Sequence, residues 1–169
     1  MATYAENTSV TSDRSRAEIE RTLQRYGADD FAYATNRERA IIAFSAQGRN
    51  IRFVLPMPDP QAREFTHTPS RGYRRSETER ANAYDQAVRS KWRALALMVK
   101  AKLEAVESGI VTFEQEFMPH IILPGGQTVY EASAAAIAVA YEQSDSRPFM
   151  AAIERDSQTL ARMARLSAM

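Results

Sequence analysis

One apolar stripe, between residues 81 and 106, constrains the fold of this chain more than any other feature of its sequence. Its members recur at intervals of 3, 4, 4, 3, 4, 4 and 3 residues, which is the period of one helix face and not the two-residue alternation of a strand. They are Ala81, Tyr84, Val88, Trp92, Leu95, Val99, Leu103 and Val106. The pattern predicts a long helix that begins at a capping box of Ser76 and Glu79 and ends near Ser108, before Gly109.

The middle of this predicted helix is apolar on every side. In the run ALALMV, residues 94–99, Leu97 points almost opposite the stripe, so the helix needs cover on two sides. We expect a sheet to cover one side. On the other side we expect the alanine-rich segment 129–141 or a second copy of the chain, and a homodimer would place Leu97 and Met98 at its interface.

The residues before the long helix predict a first helix and a small sheet. Apolar Ile19, Leu23 and Tyr26 recur at helical spacing, after an N-cap at Ser12 or Ser15. Three strand-like runs follow at 31–35, 40–46 and 49–55, joined by the short polar links NRER and QGRN. Links of this length favour an antiparallel meander, and the prolines of PMPDP would end it.

The C-terminal third predicts a smaller and mainly helical part. Residues 113–123 suggest a compact apolar turn or a short strand, and a capping box of Thr128 and Glu131 opens a helix to about Gln143. The predicted fold class is therefore α+β. We expect a single α+β domain over residues 12–143, a flexible N-terminus over 1–11, and a helical or mobile tail over 144–169.

Composition excludes several classes of protein. Cysteine is absent from the 169 residues, so the chain has neither a disulfide framework nor a thiolate ligand or nucleophile. The N-terminal residues are too polar for a secretory signal, and no apolar run is long enough to cross a bilayer. We expect a cytoplasmic protein that does not contact a membrane.

The sequence carries no recognisable catalytic pattern. Glu104 and Glu107 lie one helical turn apart, but His67 and His120 lie on separate predicted loops and form no metal-ligand spacing with them. The glycines of GQ and PGG are not followed by the lysine of a phosphate-binding loop. We expect no enzymatic activity, no metal and no cofactor.

Charge is distributed unevenly along the chain. The net charge is +1, yet residues 63–102 hold ten lysines and arginines against four acids, so this segment is +6 and the remainder is −5. Such a distribution indicates a local surface that faces an anion.

The most basic stretch, 66–76, precedes the long helix and contains Arg71, Tyr73, Arg74 and Arg75 with no acid. It is either a solvated connection or a nucleic-acid contact, in which arginines bind phosphates and Tyr73 stacks on a base or sugar. Arg89, Arg93 and Lys100 would extend the contact along one flank of the long helix, unless their stems only cover the edge of the core. DNA and RNA are equally compatible, and an acidic surface on a host protein is the alternative partner.

Two longer stretches resemble a known family. The string KWRALALMVKAKLEAVESGIVTFEQEF followed by HIILPGGQTVYE, with RFVLPMPD and FTHTP upstream, is similar to small, functionally uncharacterised proteins encoded by bacteriophages and prophages. The resemblance extends over roughly residues 12–143. It implies a viral origin and a bacterial host cell, and it assigns no site residues.

Overall fold

The computed structural model describes residues 5–145 and Arg147, in two compact units that divide the sequence between Phe117 and Met118. The first unit contains α1 (Ser12–Arg25), β1 (Asp30–Thr35), β2 (Arg39–Ala46), β3 (Arg49–Pro56), α2 (Arg63–Thr66), α3 (Glu77–Glu107) and α4 (Phe113–Phe117). The second contains a short 3₁₀ helix, Met118–His120, and α5 (Val129–Gln143). The predicted α+β class, with its N-terminal helix, meander, long central helix and smaller helical C-terminal part, is confirmed.

The sheet is the predicted antiparallel meander in the order β1-β2-β3. Its central strand pairs Phe44 with Phe31 on one side and with Ile51 on the other. Gln47 and Gly48, at φ 50° and 72°, form the link between β2 and β3. Two successive positive φ angles match the right-handed twist of a tight hairpin, which explains the glycine at this position.

The core lies between one face of the sheet and the helices α1, α3 and α4. Alternate residues of β2 and β3 are buried, as a half-buried sheet requires: Ala40, Ile42, Phe44, Ala46, Ile51 and Phe53. α1 contributes Ile19 and Leu23, each 1% exposed, and it packs along α3. One side of the long helix is thus covered by this core.

The predicted apolar stripe is buried only at its centre. Trp92, Leu95, Val99 and Leu103 are buried, together with Ala96 beside them. Nearer the two ends Tyr84, Val88 and Val106 are half-buried, and Ala81 is exposed. The first turns of α3 therefore project beyond the sheet and leave surface available to the preceding loop.

Residues 113–117 form a helix, where the sequence suggested a turn or a strand. Thr112 and Gln115 exchange hydrogen bonds between side chain and backbone N–H at 2.9 and 3.2 Å, which is a capping box. The helix places Phe113 and Phe117 against each other at 4.6 Å, and Phe117 contacts Phe44 edge-on at 6.1 Å. Aromatic packing into the sheet stabilises this short helix.

The start of α1 also differs from the prediction. Thr11 is its N-cap and accepts a hydrogen bond from the N–H of Arg14 at 3.2 Å. Ser12 is therefore the first helical residue, and Ser15 lies fully buried inside the helix. Ser15 faces the core because it lies four residues before Ile19, on the same helix face.

The second unit confirms the predicted cap of α5. Thr128 and Glu131 form a complete capping box, and Ser144 ends the helix with φ 52°. Ile122 pairs with Thr128 in an isolated β-bridge just before the helix. Of the predicted tail over 144–169, residues 146 and 148–169 lie outside the described residues.

Trp92 tests the packing of α3. It is 2% exposed, and its ring lies 5.7 Å from that of Tyr33 on β1. Replacing it by alanine removes this buried area and leaves a cavity, so we expect Trp92→Ala to lower the free energy of unfolding by about 3–5 kcal/mol in urea denaturation. Ile110→Ala is the control, because Ile110 is 75% exposed and its loss should change stability little. Equal stability of the two variants would contradict the core assignment.

Candidate nucleic-acid interface

The basic stretch forms a closed loop between α2 and α3, and we call residues 66–75 the arginine loop. Its ends are joined by a β-bridge between His67 and Arg74, and the N–H of Arg75 donates to the carbonyl of Thr66 at 2.9 Å. Inside it, the N–H of Tyr73 donates to the Thr68 hydroxyl at 3.0 Å. The Thr68 N–H donates to the Tyr73 carbonyl at 2.8 Å. Backbone pairing of this density gives the loop a defined conformation.

The sequence THTPSRG explains this conformation. Gly72 has φ 65°, a backbone conformation in which a side chain is strained, so the turn requires glycine. Its N–H donates to the carbonyl of Thr68 at 3.0 Å. The Thr66 hydroxyl lies 2.9 Å from Nδ1 of His67, so His67 takes part in the local hydrogen bonding of the loop. The two threonines and Gly72 thus position the arginines that follow.

Three side chains of the arginine loop face solvent. Arg71 and Arg74 are exposed, and Tyr73 between them is 64% exposed. Within the described residues, none of these three side chains makes a hydrogen bond, an ion pair or a ring contact. Exposed arginines are the groups that bind phosphates, and an exposed aromatic ring can stack on bases.

Arg75 differs from the other two arginines, since it is half-buried and lines a groove beside α3. The groove has a volume of about 570 Å³. Its lining includes three alanines of α3, which we call its floor, Phe65 of α2, and the segment Glu6–Asn7, which we call its wall. The arginine loop therefore presents two arginines to solvent and one to a concave surface.

The N-terminus of α3 directly follows the loop. Side chains of the helix itself already make hydrogen bonds with its first backbone N–H groups. Ser76 and Glu79 form the predicted capping box, in which the Ser76 N–H donates to the Glu79 carboxylate at 2.8 Å. The backbone and side-chain hydrogen bonds from Ser76, and then the charge of Arg75, lower the pKa of Glu79. A carboxylate already lies at this helix end, so phosphate contacts in this region must come from side chains.

The three predicted flank residues of α3 have different partners. Arg93 forms an ion pair with Glu18 of α1 at 2.5 Å, and Arg89 donates to the side-chain oxygen of Gln86 at 2.6 Å. Lys100 is exposed and makes no side-chain hydrogen bond or ion pair within residues 5–145. Of this flank, Lys100 has the most accessible charge, whereas that of Arg93 is compensated.

The glutamates near the end of α3 do not form a cluster with the histidines. The Tyr26 hydroxyl donates to the Glu104 carboxylate at 2.8 Å, and this hydrogen bond raises the pKa of Tyr26. Glu104 and Glu107 belong to the first unit and His120 to the second. Among the described residues, no group of three or more histidines and acids could hold a metal ion.

The predicted dimer residues lie on α3 beyond the groove. Met98 is 36% exposed and Leu97 is half-buried. The idea that α5 covers this side of α3 stays a prediction.

Comparison with protein-family models, with curated proteins and with solved structures found no significant match. In the part of the chain that the structure describes, no helix has the length and apolarity needed to cross a membrane.

The charge of Glu79 can be tested through pH. Its pKa in the folded protein lies below the ordinary value of 4.5, so the carboxylate stabilises the fold above the unfolded-state pKa. This stabilisation is lost as the pH falls through the folded-state pKa. Glu79→Gln keeps the capping geometry without the charge. We expect wild type to melt at a higher temperature than E79Q at about pH 7, and the difference to shrink as the pH falls through the lowered folded-state pKa of Glu79.

Glu77→Gln is the control, because Glu77 lies in the same helical turn but makes no hydrogen bond to Ser76. Thermal melts of the three proteins across the pH series make the comparison. A melting difference between wild type and E79Q that persists unchanged at the lowest pH would contradict a role for the Glu79 charge.

Proposed function

We propose that this protein is a non-enzymatic phage accessory protein that binds nucleic acid through its arginine loop. The observation that carries the proposal is the exposure of Arg71, Tyr73 and Arg74, without side-chain partners among the described residues, on a loop held by backbone hydrogen bonds. The resemblance of the sequence to phage and prophage proteins supports a viral origin and a location in the cytoplasm of a bacterial host.

The fixed backbone conformation of the arginine loop favours the binding of nucleic acid. An arginine guanidinium can bind a phosphate through two parallel hydrogen bonds, which a flexible chain must first arrange at an entropic cost. Here the bridge between His67 and Arg74 and the turn at Gly72 fix the backbone in advance. Tyr73, between the two arginines, is positioned to stack on a base or sugar while they contact the phosphates.

The flank of α3 extends this surface in the proposal. Lys100 supplies the most accessible charge of the flank, and the hydrogen bond of Arg89 to the neutral Gln86 leaves the charge of Arg89 uncompensated. Arg93 contributes least, since Glu18 compensates it. The track therefore depends mainly on the arginine loop, and neither the loop nor the flank contains groups that distinguish DNA from RNA.

The alternative partner is an acidic surface on a host protein, such as an enzyme or a defence factor that this protein inhibits. The same exposed arginines would pair with carboxylates there. The two proposals differ in what the loop binds, so a direct assay with nucleic acid separates them.

Self-association through α3 is part of the proposal, since exposed Met98 beside half-buried Leu97 leaves apolar surface on the long helix. A two-fold dimer would present two arginine loops. We expect sedimentation equilibrium to give a mass near twice 19.0 kDa at high micromolar concentration, and Met98→Glu to shift it toward the monomer. Ile110→Glu is the control. A wild-type monomer at that concentration would overturn the dimer.

The loop itself is tested by filter binding and fluorescence anisotropy with single- and double-stranded DNA and RNA. The double variant Arg71→Ala, Arg74→Ala should weaken binding at about 50 mM salt and lower the salt slope by about two, because two phosphate contacts are lost. Arg37→Ala, which removes an exposed arginine from the β1–β2 link, is the matched control. If wild type retains no nucleic acid at this salt concentration, the acidic protein surface becomes the favoured partner.

A further inference from the structure

We propose that the groove beside α3 holds a single-stranded segment of the nucleic acid that the arginine loop binds; this inference rests on the proposed function. The groove begins where the loop ends, because Arg75, the last residue of the loop, is one of its lining residues. Its volume of about 570 Å³ lies within the 300–1,000 Å³ that is usual for small-ligand sites. Such a space admits one or a few nucleotides of a single strand but excludes a paired helix.

Two cations of the groove are available to contact a phosphate. Arg75 and Lys91 both line it, are half-buried, and make no side-chain hydrogen bond or ion pair within the described residues. Because neither side chain is paired with a carboxylate at ion-pair distance in this part of the chain, a bound phosphate can act as its counter-ion. Arg75 extends the contacts of the loop into the groove, and Lys91 lies further along α3.

Two acids also line the groove, and their placement sets where a strand can lie. Glu6 and Glu64 are exposed, whereas Arg75 and Lys91 are half-buried, so the acids are the more solvent-accessible pair. Phosphates are repelled from the wall that carries Glu6 and attracted to the side of Lys91. The charge pattern therefore directs the backbone of a strand along one wall.

The floor allows a strand to approach the helix closely. Ala83, Ala87 and Ala94 supply it, at spacings of four and seven residues on one face of α3. From Ala83 to Ala94 the helix rises about 16 Å, so the lining alanines extend over about three turns. Nucleotide sugars and bases can lie on this apolar floor while the phosphates face the cations.

The wall formed by the segment Glu6–Asn7 is held in place before any ligand binds. The Gln86 side-chain amide donates to the carbonyls of Glu6 and Thr8 at 2.9 and 3.0 Å, and the Ser90 hydroxyl donates to the Glu6 carbonyl at 2.9 Å. Ala5, at the start of this segment, is 6% exposed. The groove is thus a preformed site, and binding would not have to order its wall.

Two variants change the groove and leave Arg71 and Arg74 untouched. Ala87→Trp fills the floor, and Lys91→Met removes a half-buried charge while keeping the length of the side chain. Anisotropy with labelled oligothymidine of about ten nucleotides should show at least about tenfold weaker binding for both variants. A duplex of the same length should bind them as it binds wild type.

Ala138→Trp adds the same bulk to an exposed position of α5 and serves as the control. Melting curves check that each variant is folded, and if A87W is not, Lys91→Met carries the test alone.

The outcomes separate this inference from the proposed function. Loss of single-strand binding in A87W and K91M, with duplex binding intact, supports the groove. If both variants bind the single strand like wild type while the Arg71, Arg74 double variant does not, the groove inference is overturned and the function of the loop stands. If the variants bind the single strand and the duplex with equally reduced affinity, the groove inference is also overturned. If wild type binds neither, the groove inference and the proposed function both fail.

Discussion

The structure depends on the burial of the centre of α3 against the sheet and α1. Trp92, Val99 and Leu103 lie there with exposed fractions of 2%, 0% and 4%, and the Trp92 ring contacts Tyr33 of β1. Isolated helices gain little stability in water, and a helix of 31 residues persists because one face is packed. Since the sheet covers only the central turns, the first turns of α3 are free to support other surfaces.

Both proposed contact surfaces lie along the N-terminal half of α3. The arginine loop is joined to the first turn of α3 through the capping box of Ser76 and Glu79, and α2 is held to the same region by the ring contact of Phe65 with Tyr84 at 5.7 Å. The groove lies on the adjacent helix face, walled by the N-terminal segment that Gln86 and Ser90 bind. One rigid helix thus positions a convex cationic loop and a concave site side by side.

The basic residues of 63–102 serve two purposes. Some of them hold the fold together, as Arg93 does through Glu18 and Lys102 through the Glu116 carboxylate at 2.7 Å. Both of these pairs are partly buried, where screening by water is weaker than at an exposed surface. Others, such as Arg71 and Arg74, have no such partner in the described residues. The local charge of +6 therefore overstates the cationic surface that a ligand can reach.

The sequence by itself determined the elements and their order, because periodicity, turn residues and caps act over a few residues: the 3–4 spacing gave α3, alternation gave the strands, and the capping boxes of α3 and α5 gave their starts. The same local reasoning missed the cap at Thr112 and placed the start of α1 at a serine although Thr11 caps it. Only the tertiary structure decided which charges remain accessible, because Glu18 is 75 residues from Arg93 in sequence. It also decided the groove, since the wall at Glu6 and the floor at Ala87 are adjacent only after folding.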